Sequence, residues 1–312
     1  MKTNLETISH NNQKKIAVIN DISGFGRCSI TVALPIISHM KLQCCPLPTS
    51  ILSNHTGYEN YFFEDYTKNM REFMKNWKLL GLTFDGIATG FLGSKEQIRI
   101  VEEFIQEFRT EETKVIVDPV MGDNGELYPT YTKAMQEEMK HLAACADILT
   151  PNLTEACFLT GTPYKEQGWK REELFDLAKR LSDLGSKKIV ISGIVMGEYL
   201  GNVVYETDPS ASSDKCCADL KKRDSRRKDD AALTSKAQTI IRTRRIAAER
   251  AGTGDVFSSI LAADAVNGVA LTDSVRKAAR FIQDCMRITD QRKIPPEDGV
   301  CFEELLYKLK VR

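Results

Sequence analysis

Phe84-Asp85-Gly86-Ile87-Ala88-Thr89-Gly90, then the amphipathic run Ser94 to Arg109, then Lys114-Val115-Ile116-Val117-Asp118: in one stretch the chain reads as strand, helix, strand. The outer pieces are short apolar runs, the first leaving through a glycine. Ser94 stands at an N-cap position with Gln97 three residues on, the spacing of a capping box. The same alternation continues on both sides. Upstream, Lys15-Ile16-Ala17-Val18-Ile19-Asn20 reads as a buried strand that ends in the glycine-containing turn Asp21 to Gly26. A mostly apolar helix follows over Ser29 to Met40, with Pro35 as a kink site. Gln43 to Pro48 is a second strand and Thr67 to Leu80 an amphipathic helix. Downstream come a helix over Met135 to Ala144, a strand over Asp147 to Thr150, a helix over Glu172 to Leu184 and a strand over Lys188 to Gly193. Regular alternation predicts βα units and a mainly parallel sheet. In such sheets ligands bind outside the strands' C-terminal ends, the edge that carries Asp118, Thr150 and Ser192.

The 312 residues hold 43 Lys plus Arg and 43 Asp plus Glu, a formal net charge of zero. That length suits one large α/β domain or two small ones. Neutrality excludes a global attraction to nucleic acid or an anionic membrane, and no run of about 18 apolar residues is present to span a bilayer. Met1 to Lys15 is polar, so no secretory leader is expected. The nine cysteines (28, 44, 45, 145, 157, 216, 217, 285, 301) show no C-x-x-C pair, and their number is odd. Reduced thiols and a cytoplasmic location follow. The four histidines (10, 39, 55, 141) never approach Cys or Glu at zinc-site spacing. Thr207 to Gln238 breaks the pattern: it lacks aromatics and is dense in mixed charge, so it reads as a surface excursion or a disordered insert. Its basic residues, Lys221 to Arg223 and Arg226 to Lys228, read as a solvated loop rather than a polyanion site.

Four motifs carry chemistry. Ala251-Gly252-Thr253-Gly254-Asp255 precedes a helical run, Val256 to Val266. Glycines before a helix start let backbone amides converge on an anion, and the helix dipole adds positive potential there. Asp255, on the first turn, is placed to take a proton from a hydroxyl that attacks a phosphate. Alone, the motif would serve equally as a glycine N-cap. Val117-Asp118-Pro119-Val120-Met121-Gly122-Asp123 offers two carboxylates at a strand exit, suited to hydrated Mg2+ or to a simple turn. Thr150-Pro151-Asn152-Leu153-Thr154-Glu155 sets Asn152 and Glu155 at a helix start, where Asn152 or Thr154 would also cap. Ser53-Asn54-His55-Thr56-Gly57-Tyr58 offers hydroxyl, imidazole and amide groups to a small polar ring. A dinucleotide reading of Ser23-Gly24-Phe25-Gly26 fails, because Ser29 occupies the third glycine position and Cys44-Cys45-Pro46 stands where a ribose-binding acid belongs.

Together and in this order, the motifs resemble the ribokinase-like superfamily and, within it, the pyridoxal/pyridoxamine kinases. The similarity covers Lys15 to Asn202 and Thr239 to Leu309. It implies an α/β fold, a three-layer α/β/α sandwich around a mainly parallel sheet, as a single kinase domain over 1–312 with the insert 207–238 inside it. It implies ATP with Mg2+, allows a monovalent cation, and implies a homodimer acting on a B6 vitamer. By position, Asp255 would deprotonate the vitamer's 5′-hydroxymethyl group, and Gly252, Thr253 and Gly254 would stabilise the transferring phosphoryl. Asp118, Thr150, Asn152, Glu155 and Ser192 would hold ATP, and Asp118, Asp123 and Glu155 its cations. Ser23, His55 and Thr56 would contact the vitamer. Phe91 would pack on its ring where some relatives have Tyr, a departure that leaves the ring contact and removes a hydroxyl. A cousin branch phosphorylates hydroxymethylpyrimidine; it typically has Cys in place of Asp255 and lacks the Ser-Asn-His-Thr loop.

Overall fold

The computed structural model describes residues 12–207, 237–246 and 249–310. The insert expected over 207–238, with its basic cluster and Cys216 and Cys217, lies almost wholly outside the described residues.

The strand and helix that opened the reading are β4 (Gly86–Thr89) and α3 (Lys95–Phe108), and the next strand is β5 (Lys114–Val117). Before them come β1 (Lys15–Phe25), α1 (Ser29–His39), β2 (Gln43–Asn54), β3 (Phe63–Asp65) and α2 (Thr67–Leu79). After them come the hairpin β6 (Gly122–Asp123) and β7 (Glu126–Leu127), then α4 (Lys133–Ala144), β8 (Ile148–Leu149), α5 (Leu153–Thr160) and α6 (Arg171–Ser182). The chain continues through β9 (Lys188–Met196), β10 (Tyr199–Glu206), β11 (Ala237–Arg244), α7 (Thr253–Val266) and α8 (Leu271–Gln291).

Nine described strands form one sheet in the order β11-β10-β9-β8-β5-β4-β1-β2-β3. From β2 through β9 the neighbours run parallel, while β3, β10 and β11 close the two edges antiparallel. The sheet reverses its winding between β1 and β4, and the crevice outside such a switch point is where open α/β sheets bind ligands.

Alternation along each strand builds the layers. Ala17, Ile19, Val115, Val117, Ile189 and Ile191 pack on one face beneath α2 to α6. Ile16, Val18, Ile116 and Val190 pack on the other beneath α1, α7 and α8. Both faces are therefore covered, the arrangement expected of a mainly parallel sheet. On the first face Phe104 stacks on Phe108 at 4.5 Å and on Phe84 at 5.8 Å.

Three local features differ from the sequence reading. Residues Asp21 to Phe25 do not turn; β1 runs on through them, pairing Ile22 with Ile51 and Phe25 with Asn54 after a register shift at Asn20/Ile22. Gly24 is a close approach within that strand, since a Cβ there would lie 3.0 Å from the Ser53 carbonyl. The expected capping box at α3 is half formed. Ser94 Oγ accepts from the Gln97 amide at 3.2 Å, but Gln97 Oε1 accepts from Gly93 instead, and its Nε2 donates to the Thr49 carbonyl and to Thr67. The glutamine thereby ties β2 and α2 to α3. The third difference is the antiparallel edge β10–β11 and the long helix α8, neither of which was expected, although Leu271, Val275, Ala278, Phe281 and Cys285 give α8 a buried stripe at helical spacing.

Candidate active site

The site begins at the N-terminus of α7. Gly252 is its N-cap, with φ 73°, a left-handed conformation that glycine adopts freely. A side chain there is excluded twice, because a Cβ would fall 1.7 Å from the Arg27 carbonyl oxygen. Gly254 is different. No heavy atom beyond its own turn of helix lies within 4 Å of where its Cβ would be, and its φ is not left-handed, so neither the fold around it nor its backbone angle requires glycine. What glycine provides at 254 is open space over first-turn amides that have no carbonyl four residues back to bond. Space, donors and dipole together fit a phosphate.

Asp255 follows within the same turn. Asn20 Nδ2 donates to its Oδ1 at 3.2 Å, and the Ser29 backbone amide also bonds the carboxylate. Ser29 itself has φ 54°, an uncommon conformation for a residue with a side chain and one that clusters at functional sites. Burial pushes the Asp255 carboxyl up to about 6, with the Asp21 charge adding to the rise and the hydrogen bonds from Ser29 and Asn20 opposing it. Such a group is a base near neutral pH.

Around this pair gather the carboxylates. Asp118 follows β5; burial, and then the Asp255 charge, hold it well above the usual carboxylate range, against a hydrogen bond with Ser258. Glu155 is 3% exposed. Burial and the Asp118 charge raise it too, against its two backbone hydrogen bonds. Those bonds run from the Met121 amide to Oε1 at 3.0 Å and from the Asn152 amide to Oε2 at 2.8 Å. With Asn152 Oδ1 accepting from the Glu155 amide at 2.9 Å, they form a complete capping box at α5. Asn152 Nδ2 donates to the Gly122 carbonyl at 2.8 Å, which ties the β6–β7 hairpin to the same helix start. Asp123 lies exposed on that hairpin, where its Oδ1 accepts from the Asn124 amide at 2.8 Å. Thr150 is buried, with Oγ1 donating to the Val117 carbonyl, and Ser192 bridges to Asn152 beside it.

The expected metal set Asp118, Asp123 and Glu155 is thus brought to one edge, but not into one coordination shell. Among the described residues no three His, Cys, Asp or Glu side chains stand together as a metal cage. The donors fit Mg2+ in its open form, in which one or two carboxylates and substrate phosphates share the ion. Mutual repulsion among these acids is relieved by such a cation. Glu155 fits least as a direct ligand, since both of its oxygens already hold backbone amides.

The expected vitamer contacts lie on β1, on the loop after β2 and just past the end of β4. Phe91 is half-buried at the exit of β4; its amide donates to Asn20 Oδ1 at 2.8 Å, and its carbonyl accepts from Thr49 Oγ1 at 2.9 Å. Ser23 is fully buried and donates to Asp21 Oδ2 at 2.9 Å, so its hydroxyl is committed to the protein. Thr56 is exposed on its loop. His55 uses both ring nitrogens internally: the Gly57 amide donates to Nδ1 at 3.1 Å, and Nε2 contacts the Glu297 carbonyl at 2.6 Å. Its ring stacks on Tyr58 at 4.7 Å, and the Tyr58 hydroxyl donates to Asp298 Oδ1 at 2.6 Å.

Sequence reasoning missed Asn20, Asp21, Ser29 and the segment Glu297-Asp298. A signal existed for the first two, a polar pair at the C-terminal end of an apolar run. None existed for the last, which reaches the site only through the fold.

Comparison with known proteins bears on the family and the fold. The family model described as phosphomethylpyrimidine kinase matches residues 37–299. A Bacteroides thetaiotaomicron protein carrying that name is 35% identical, with a TM-score of 0.86 over 97% of this chain and 96% of its own. A second crystal form of it, described as containing pyridoxal, superposes with a TM-score of 0.82. A pyridoxine/pyridoxal/pyridoxamine kinase from Bordetella avium is 27% identical over 86% of this chain and 84% of its own. Other curated relatives align over less of their length, for example 64% of the pyridoxal kinase of Ovis aries. The pyridoxal kinase of Lactobacillus plantarum, 24% identical with a TM-score of 0.79, shares the fold. With a family model matched over most of its length and a relative of 35% identity sharing its fold end to end, the chain belongs to the phosphomethylpyrimidine kinase family, within the ribokinase-like superfamily, and has pyridoxal kinases among its relatives.

Proposed function

We propose that the chain is a pyridoxal kinase, which transfers the γ-phosphoryl of ATP to the 5′-hydroxymethyl group of pyridoxal, pyridoxamine or pyridoxine. The observation that carries this reading is the adjacency of Asp255 to the glycine cradle on one helical turn. Asp255 accepts the hydroxyl proton as the oxygen attacks phosphorus and the bond to ADP breaks. The amides of Thr253 and Gly254 receive the charge developing on the transferring oxygens. Thr150, Asn152 and Ser192 line the nucleotide side of the crevice, and Phe91 supports the ring of the vitamer. Asp118 and Asp123 would share Mg2+ with the phosphates; when bound, the ion neutralises phosphate charge beside the acidic cluster.

The family's name leaves a second substrate in view, hydroxymethylpyrimidine. Two features favour the B6 reading: Asp at 255, where the pyrimidine branch typically has Cys, and the Ser53 to Tyr58 loop. The pyridoxal in the Bacteroides crystal supports it further. The proposal includes a cytoplasmic homodimer without nucleic-acid or membrane partners; no helix among the described residues is long and apolar enough to cross a membrane. Light scattering tests the dimer. The deciding assay measures turnover of pyridoxal, pyridoxamine, pyridoxine and hydroxymethylpyrimidine with Mg-ATP. A B6 vitamer is expected to give the highest kcat/KM, and preference for the pyrimidine would overturn the assignment.

A further inference from the structure

We infer that Asn20 is a positioning residue whose one side-chain amide aligns both the Asp255 carboxylate and the backbone that presents Phe91, and so holds the base and the ring support in a fixed relation. The inference rests on the kinase reading above and goes beyond it, since neither the motifs nor the relatives assign Asn20 a part.

Asn20 is 5% exposed, at the point where β1 meets the sheet's switch. Its Nδ2 donates to Asp255 Oδ1 at 3.2 Å, while its Oδ1 accepts from Phe91 at 2.8 Å and from Asp21 at 2.9 Å. Two amide donors converging on one atom fix that atom as the oxygen, and hence fix the NH2 towards Asp255. Only an amide satisfies the position. A carboxylate offers acceptors alone and would repel Asp255, and a hydroxyl is too short to span both partners.

The backbone is shaped to seat this amide. The register shift in β1 falls between Asn20 and Ile22, and such irregularities re-aim side chains beside active sites. On the facing strand exit stands Gly90, where a Cβ would lie 2.3 Å from Asn20 Nδ2. Glycine at 90 therefore makes room for the Asn20 side chain.

The test is a double-mutant cycle. Asn20→Asp keeps acceptors for Phe91 and Asp21 and replaces the donor to Asp255 by a like charge that repels it. It should lower kcat about 10- to 100-fold, the range for a hydrogen bond to a charged group, with the KM for ATP within about 2-fold. Made in an Asp255→Asn background, it should cost less than about 3-fold, since the carboxylate it serves is gone. Asn20→Ala, which also frees the Phe91 amide, should in addition raise the KM for pyridoxal. Circular dichroism checks that each variant is folded at the assay temperature; if Asn20→Asp is not, the cycle is run with Asn20→Ala, whose kcat loss should likewise shrink in the Asp255→Asn background. Equal losses in both backgrounds, or an unchanged kcat, would overturn the inference. A wild-type protein that turns over no B6 vitamer would instead overturn the kinase reading on which it rests.

Discussion

His55 and Glu297 stand 242 positions apart in the chain and meet in a hydrogen bond of 2.6 Å between Nε2 and the Glu297 carbonyl. The contact belongs to a wider anchor. Asp298 accepts from the Tyr58 hydroxyl, and its carbonyl accepts from the Arg27 amide at 3.3 Å. The Pro296 carbonyl accepts from the Ala251 amide at 3.2 Å, just before the glycine cradle. One short segment therefore fixes both the His55–Tyr58 loop and the approach to Gly252. His55→Ala should raise the KM for pyridoxal by about 10-fold, the loss of one such bond, and move the KM for ATP much less. Steady-state kinetics with each substrate varied in turn checks this; equal changes in both would contradict the local role.

Asp255 is expected to act as the general base. Asp255→Asn should cut kcat by roughly two to four orders of magnitude, with nucleotide affinity retained in calorimetry. Because burial raises this carboxyl to about 6, kcat/KM of the wild type should fall as pH drops through that region, where the base takes up its proton. A flat profile down to pH 5 would assign the base elsewhere.

The same shift has a consequence for stability, with the opposite pH sense. A carboxyl whose folded value is raised from 3.8 to about 6 binds its proton more tightly in the native state. The stabilisation is complete below about 3.8 and is lost as pH rises through about 6, so at neutral pH the ionised group burdens the fold. Metal-free Asp255→Asn should therefore be more stable than wild type at pH 7 to 8, by roughly 1–3 kcal/mol. The difference should shrink on acidification towards pH 4. Thermal melts across that range in EDTA decide it; a variant less stable than wild type at pH 8 would refute the expectation.

Glu155 separates a clamp from a metal ligand. Glu155→Ala leaves the Met121 and Asn152 amides without their carboxylate, and unpaired buried groups of this kind cost about 2–4 kcal/mol together. The melting temperature should drop even with EDTA present. A loss of stability seen only when Mg2+ is supplied to the wild type would restore Glu155 to the ion's shell.

The parallel core was legible because its strands are short apolar runs and helices such as α2, α3 and α6 carry a 3.6-residue stripe; β4, α3 and β5 fell where Phe84 to Asp118 put them. The fate of Asp21 to Phe25 was not legible. Its serine and glycines spell a turn locally, and only pairing with β2 keeps the segment extended. Among the site residues, Asp118, Thr150 and Asp255 could be placed from strand exits and a helix start alone; Ser192 was expected where a strand ends at Gly193, but β9 runs on to Met196 and carries it mid-strand. The commitments of Ser23 to Asp21, and of His55 to Glu297, could not, because they depend on which distant segments the fold brings against them. Asn20 lay between these cases: its polarity at a strand's end was visible, its three partners were not.

The two glycines of the cradle answer to different judges. Position 252 is policed by the chain itself, through its dihedral angle and the Arg27 carbonyl, so a replacement there should vanish from any library sorted for soluble, folded protein. Position 254, if the proposed cradle holds, answers only to the guest. Its replacements should survive such a sort unharmed and be removed only by selection for growth or turnover. Comparing the two selections at these neighbouring sites would show which part of the sequence is written by folding and which by the phosphate it serves.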